Sequence, residues 1–153
     1  MMKYRLLSDE ELTHFKKDFI EYLVINGLTG EDWAKMKEER VDDANKILDS
    51  FSDVVFESVF RKNMFLDHIS KNQIKCFQCL GDKIVLIGLN SNNPKIDFTS
   101  LKDFSLLANE TRLEVYTSEK KYSKQREIEM FEMTNDGCSL SNGDLFKKLS
   151  LLL

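Results

Sequence analysis

Apolar residues recur at three- and four-residue intervals through the first part of the chain, which is the pattern of amphipathic helices. Ser8 followed by Glu11 has the spacing of a capping box, and Thr29 is followed by acidic residues in a similar way. The charged run at 37–40 interrupts the apolar pattern. Three helices are therefore predicted, over 9–25, from Thr29 to the charged run, and from Val41 to Arg61, with Ser52-Asp53 as the alternative start of a fourth.

The pattern changes at 74–90 to the short apolar runs that are typical of β-strands. Gly81 and Asp82 separate two such runs, and glycine at the first central position favours a two-residue hairpin turn. The second run, KIVLIGLN, is apolar almost throughout, which indicates a strand that is covered on both faces. We therefore predict a central hairpin with strands over 74–80 and 83–90.

Shorter patterns divide the rest of the chain. Met64–Ser70 is expected to be a connector, and Ser91–Pro94 is expected to be a loop. The remaining predictions are a short helix over 99–107, a strand over 112–117, a helix over 124–135 capped by Ser123, and a last helix opened by Ser141 and Asp144.

The order of these elements predicts an α+β fold. N-terminal helices are expected to pack on a small antiparallel or mixed sheet, made of the central hairpin 74–90 and the strand 112–117, with further helices at the C-terminus. One proline and six glycines among 153 residues leave little room for linkers. We therefore predict a single domain over 1–153.

The net charge of −4 is unevenly distributed. Residues 1–73 carry 15 acidic and 11 basic side chains, whereas residues 74–153 carry 11 of each. Broad binding to nucleic acid needs a basic face, so this balance argues against it. Asp49, Asp53 and Glu57 share one helical stripe, where like charges need basic neighbours or a basic partner.

The N-terminus lacks the apolar stretch of a signal peptide. No later run approaches the ~20 apolar residues of a membrane span. Three cysteines, an odd number, fit a reducing compartment better than a disulfide framework. A cytoplasmic protein that has no membrane partner is therefore expected.

Cys76 and Cys79 have the Cys-x-x-Cys spacing of zinc sites, in which a tight turn brings two thiolates to one ion. The available further ligands are His68 and Cys138. In an extended strand, however, residues three apart point to opposite faces, so two buried thiols are the favoured interpretation. Zinc is kept as an alternative, and no other cofactor and no catalytic residue are predicted.

One basic cluster lies at 120–126. Its four positive charges have Tyr116 and Tyr122 alongside, a combination that contact with phosphates and stacking on bases require. The same composition is typical of the solvated start of a helix. The candidate residues for contact with nucleic acid or another partner are Lys120, Lys121, Tyr122, Lys124 and Arg126.

Several stretches of the chain carry a resemblance to a known family. They are the opening Met2-Lys3-Tyr4-Arg5, Trp33 followed by MKEER, FSDVVFESV at 51–59, and the closing pattern of Gly137, Ser141 and Asp144-Leu145-Phe146. Together they resemble an uncharacterised conserved-hypothetical family of Bacteroidota, a domain of unknown function. The resemblance implies a cytoplasmic single-domain protein and carries over no site residue.

These observations favour a non-enzymatic interaction module that docks on a larger cytoplasmic assembly through a protein partner. The first alternative is an accessory protein of RNA polymerase or the ribosome that contacts nucleic acid through the basic cluster 120–126. The second alternative is a small zinc-binding protein built on Cys76 and Cys79.

Overall fold

The computed structural model describes residues 2–101 and 112–153. These residues form six helices and a five-stranded antiparallel sheet, which confirms the predicted α+β fold with helices at both ends. The helices are α1 Asp9–His14, α2 Lys16–Ile25, α3 Gly30–Glu39, α4 Val41–Lys62, α5 Arg126–Asn135 and α6 Asp144–Ser150. The strands are β1 Phe65–Ile69, β2 Gln73–Cys79, β3 Lys83–Ser91, β4 Leu113–Lys121 and β5 Ser139–Ser141.

The chain divides into two compact units, Met1–Val59 and Phe60–Leu153. The first contains α1, α2, α3 and most of α4, and the second contains the sheet with α5 and α6. The expectation of a single domain stays a prediction. Within the described ranges, no helix combines the length and the apolar character needed to cross a membrane.

The helix starts of the first unit follow the local sequence signals. Ser8 and Glu11 form the predicted capping box, and Thr29 forms a second one with Asp32. The prediction of one continuous helix over 9–25 was wrong, because the helix is interrupted at Phe15. Phe15 has φ −98° and ψ 21°, which lies between the helical and extended regions.

The N-terminal segment of the same chain binds Asp53 and Glu57, two members of the acidic stripe on α4. Asp53 accepts hydrogen bonds from the backbone amides of Lys3 and Tyr4, at 2.7 and 3.0 Å. Glu57 accepts from the Lys3 ammonium at 3.2 Å and from the Tyr4 hydroxyl. Lys3 therefore supplies one basic neighbour to this stripe within the first unit. Leu7, Phe51 and Val55 form the buried core beside them.

The five strands of the second unit lie in the order β4-β3-β2-β1-β5, and every pairing is antiparallel. Ile84 to Leu89 of β3 are paired on both sides, which confirms that the apolar strand is not an edge. On one face of the sheet, Ile74 and Cys76 pack with Leu149 of α6 and with Phe98 in a buried core. We call this face the α6 face. The opposite face carries α5.

Two predictions about the ends of the sheet were wrong. Met64–Ser70 is not a connector, because Phe65–Ile69 forms β1 and pairs with both β2 and β5. The third strand does not end at Thr117 but continues to Lys121, where Lys121 pairs with Lys83 of β3. Two lysines of the basic cluster therefore lie on a strand.

The starts of the last two helices also differ from the sequence predictions. Ser123 does not cap α5, because Gln125 occupies the N-cap and makes no side-chain capping bond. Ser141 ends β5 instead of opening α6, which begins after Gly143 in a left-handed conformation. Most of the helix predicted over 99–107 lies outside the described residues.

Candidate binding groove

The two cysteines of the Cys-x-x-Cys motif point to opposite faces of β2. Cys76 belongs to the core of the α6 face, and both thiols are buried, with 0% and 1% of their surface exposed. Within residues 2–101 and 112–153, no three His, Cys, Asp or Glu side chains are placed to hold one metal ion. The strand geometry therefore gives no support to the zinc alternative.

The chemistry of the thiols differs from that of a catalytic nucleophile. Burial raises the pKa of Cys76, as does the nearby Asp67 carboxylate, and burial raises the pKa of Cys79 to about 11. Burial and the Asp136 carboxylate raise the pKa of Cys138. Reactive cysteines need a lowered pKa, so these three thiols are held in the protonated form that reacts poorly.

Asp67 places a carboxyl group on the α6 face, opposite Cys76 in β2 and Ser139 in β5. Its Oδ1 atom is buried without a hydrogen-bond partner. Burial raises the pKa of Asp67, although hydrogen bonds from Cys76 and Ser141 oppose the increase. The charged form of Asp67 is therefore disfavoured in the folded state.

We expect Asp67→Asn to remove one component of the pH dependence of stability. The pKa of Asp67 is higher in the folded than in the unfolded state, so falling pH protonates the folded state first. Protonation of Asp67 therefore increases the free energy of unfolding as pH falls through its folded pKa. This increase is complete below the unfolded pKa of about 3.9. Denaturation of wild type and Asp67→Asn at several pH values from 3 to 8 measures the free energy of unfolding of each. Parallel plots of this free energy against pH would contradict the prediction.

Arg126, a member of the predicted basic cluster, is used inside the second unit. Its guanidinium donates hydrogen bonds to the backbone carbonyls of Phe60 at 3.0 Å, Asn63 at 2.7 Å and Cys79 at 3.0 and 3.1 Å. Only 15% of its side chain is exposed. Arg126 therefore joins the end of α4, the residues before β1 and the end of β2.

Most of the other cluster residues also have partners in this unit. The Tyr122 hydroxyl donates to the carbonyl of Leu80 at 2.6 Å. Two lysines pair with carboxylates of α5, Lys120 with Glu129 at 3.1 Å and Lys124 with Glu132. Lys121 is the exposed member without such a pairing in the described part of the chain. Contact between this cluster and nucleic acid stays a prediction.

A groove of about 470 Å³ runs between α5 and the sheet face that carries it. We call it the α5 groove. Ile84 is buried in its floor, whereas Phe77 and Leu86 are only partly buried although they lie on interior strands. The residues that line it are His68, Lys75, Phe77, Ile84, Leu86, Ser118, Glu119, Lys120, Met133, Asp136 and Cys138.

The register of the sheet arranges the groove in rows. Phe77 pairs with Leu86, and Leu86 with Ser118, so these three residues cross the middle of the floor. His68 pairs with Lys75 in the next row. An apolar floor with a polar row at one side is the usual composition of a binding pocket, and its volume is in the usual range.

The sequence indicated which residues of β2 face the groove, but not the contribution of α5. Alternation along β2 places Lys75, Phe77 and Cys79 on one face, as the strand pattern indicated. The contributions of Met133 and Asp136 could not be found in this way, because they depend on where α5 crosses the sheet. The groove therefore appears only in the folded structure.

Comparisons with known proteins place the chain in a family but not in a functional class. A family model described as a family of unknown function (DUF6495) matches residues 2–153, which confirms the predicted resemblance to an uncharacterised domain. No curated protein matches the chain, and no solved structure matches it.

Proposed function

We propose, on the premise that the chain belongs to this family of unknown function, that it is a non-enzymatic interaction module whose α5 groove receives a segment of a partner protein. The observation that carries the proposal is the partly exposed apolar floor. Phe77 and Leu86 lie on interior strands, where side chains are normally covered by a packed layer. A partner segment would complete that layer.

The extent of the groove favours a peptide segment. Its lining reaches from Cys138, the residue before β5, to Ser118 on β4, and includes residues of β1, β2 and β3 between them. Strands lie about 4.8 Å apart, which makes this distance roughly 19 Å, enough for about five residues of an extended chain. Apolar side chains of such a segment would bury the surfaces of Phe77, Leu86 and Met133.

The test uses affinity purification from a native cell, for which the resemblance to a Bacteroidota family indicates a member of that phylum. We expect the wild-type chain to retain a partner and Leu86→Lys to retain at least tenfold less, because a charged group would lie on the apolar floor. The matched control is Ile20→Lys on α2, where 52% of the side chain is exposed. Circular dichroism and melting temperature check that both variants fold.

Contact at the groove is tested by a photo-crosslinking phenylalanine analogue at position 77. We expect it to label the retained partner, and the same analogue at position 20 to leave it unlabelled. Recovery of the wild type without a partner, or equal retention of the partner by Leu86→Lys, would contradict the proposal. Retention that is lost on nuclease treatment and on Lys121→Ala would favour the nucleic-acid alternative.

A further inference from the structure

The polar row of the α5 groove is formed by His68 and Lys75. His68 and Lys75 are directly opposite each other in adjacent strands, so their side chains stand together on the α5 side of the sheet. Ser139 pairs with Asp67, which brings the preceding Cys138 beside His68. A Cβ atom on Gly137 would lie 3.3 Å from His68 Nε2, so the turn after α5 closes this end of the groove.

Lys75 differs from the other lysines near this face. Lys120 and Lys124 both pair with carboxylates of α5. In the described ranges, the Lys75 ammonium and the His68 imidazole make neither an ion pair nor a side-chain hydrogen bond, although both side chains are partly buried. The Lys75 ammonium is therefore available to pair with an anion supplied by a partner.

We infer that the segment received by the α5 groove is acidic, and that it places an Asp or Glu carboxylate against Lys75 beside a bulky apolar residue on Phe77. This inference rests on the proposed function and specifies the partner's chemistry. Lys75 and Phe77 follow each other on the same face of β2, about 7 Å apart. A carboxylate and an apolar side chain of one segment can reach both.

The groove also contains a negative charge, so one substitution should weaken the binding of an acidic segment and another should strengthen it. Asp136 is exposed at the rim of the groove. Glu119, by contrast, pairs with Val85 in the register, and its side chain lies on the α6 face, where it binds Lys83. An acidic segment gains from Lys75 and is repelled by Asp136. Lys75→Gln should therefore weaken its binding about threefold, and Asp136→Asn should strengthen it up to about twofold, as expected for partly exposed pairs.

The probe is a library of random heptapeptides displayed on phage and selected against the full-length chain. With the wild type, we expect enrichment of sequences in which Asp or Glu lies within two residues of Phe, Leu or Trp. With Lys75→Gln, the acidic preference should disappear while the apolar one remains. Single peptides from the selection then give dissociation constants for wild type, Lys75→Gln and Asp136→Asn by fluorescence anisotropy.

The possible outcomes separate this inference from the proposed function. Selection of apolar peptides that Leu86→Lys abolishes, without acidic enrichment, would overturn the inference and leave the groove as a binding site. Enrichment of Lys or Arg would also overturn it. No enrichment, or enrichment unchanged by Leu86→Lys, would overturn both.

Discussion

Replacing Arg126 by methionine is expected to lower the free energy of unfolding by about 3 kcal/mol. The three carbonyls of Phe60, Asn63 and Cys79 would lose their charged donor, and each unpaired buried acceptor costs about 1–3 kcal/mol. Methionine fills much of the volume, so the loss reports hydrogen bonding more than packing. Urea denaturation followed by circular dichroism measures the change.

Two further variants distinguish the roles of charge and geometry at this position. Arg126→Lys keeps the charge but cannot reach three carbonyls at once, so it should still cost about 2 kcal/mol. Lys124→Met, which removes an exposed ion pair with Glu132, should cost less than about 0.5 kcal/mol. A folded Arg126→Met of wild-type stability that had lost binding to RNA would instead support the predicted nucleic-acid contact.

Arg126 illustrates which part of the structure the sequence could not reveal. Arg126 follows three lysines within seven residues, and this local composition is typical of a charged surface. Its partners come from segments 47 to 66 residues away in the chain. A role that depends on several distant backbone carbonyls leaves no local pattern, whereas a capping box such as Ser8 and Glu11 lies within one helical turn and was predictable.

The strands show the same division between local and distant causes. The hairpin of β2 and β3 was predictable because apolar runs flank Gly81 and Asp82. β1 was missed because Asp67 puts a carboxyl group among the residues of its core face, which breaks the apolar alternation. Pairing on both sides, with β2 and with the three residues of β5, maintains this strand despite its weak pattern.

The second large effect is expected at the start of α6, where Gly143→Ala should lower the free energy of unfolding by about 3 kcal/mol. Gly143 has φ +86°, a conformation that costs an L-residue roughly 1–2 kcal/mol. An added Cβ would also lie 2.5 Å from the ring of Phe65, which packs against Phe146 with ring centroids 5.5 Å apart. Displacing that ring adds a cost of overpacking of roughly 1–3 kcal/mol.

A double-mutant cycle separates these two contributions. In the background of Phe65→Ala the added methyl group has room, so Gly143→Ala should cost only its backbone strain, about 1 kcal/mol. The coupling energy, close to 2 kcal/mol, then measures the contact between position 143 and the Phe65 ring. Equal costs in both backgrounds would mean that the ring does not limit position 143, and that the backbone conformation alone requires glycine there.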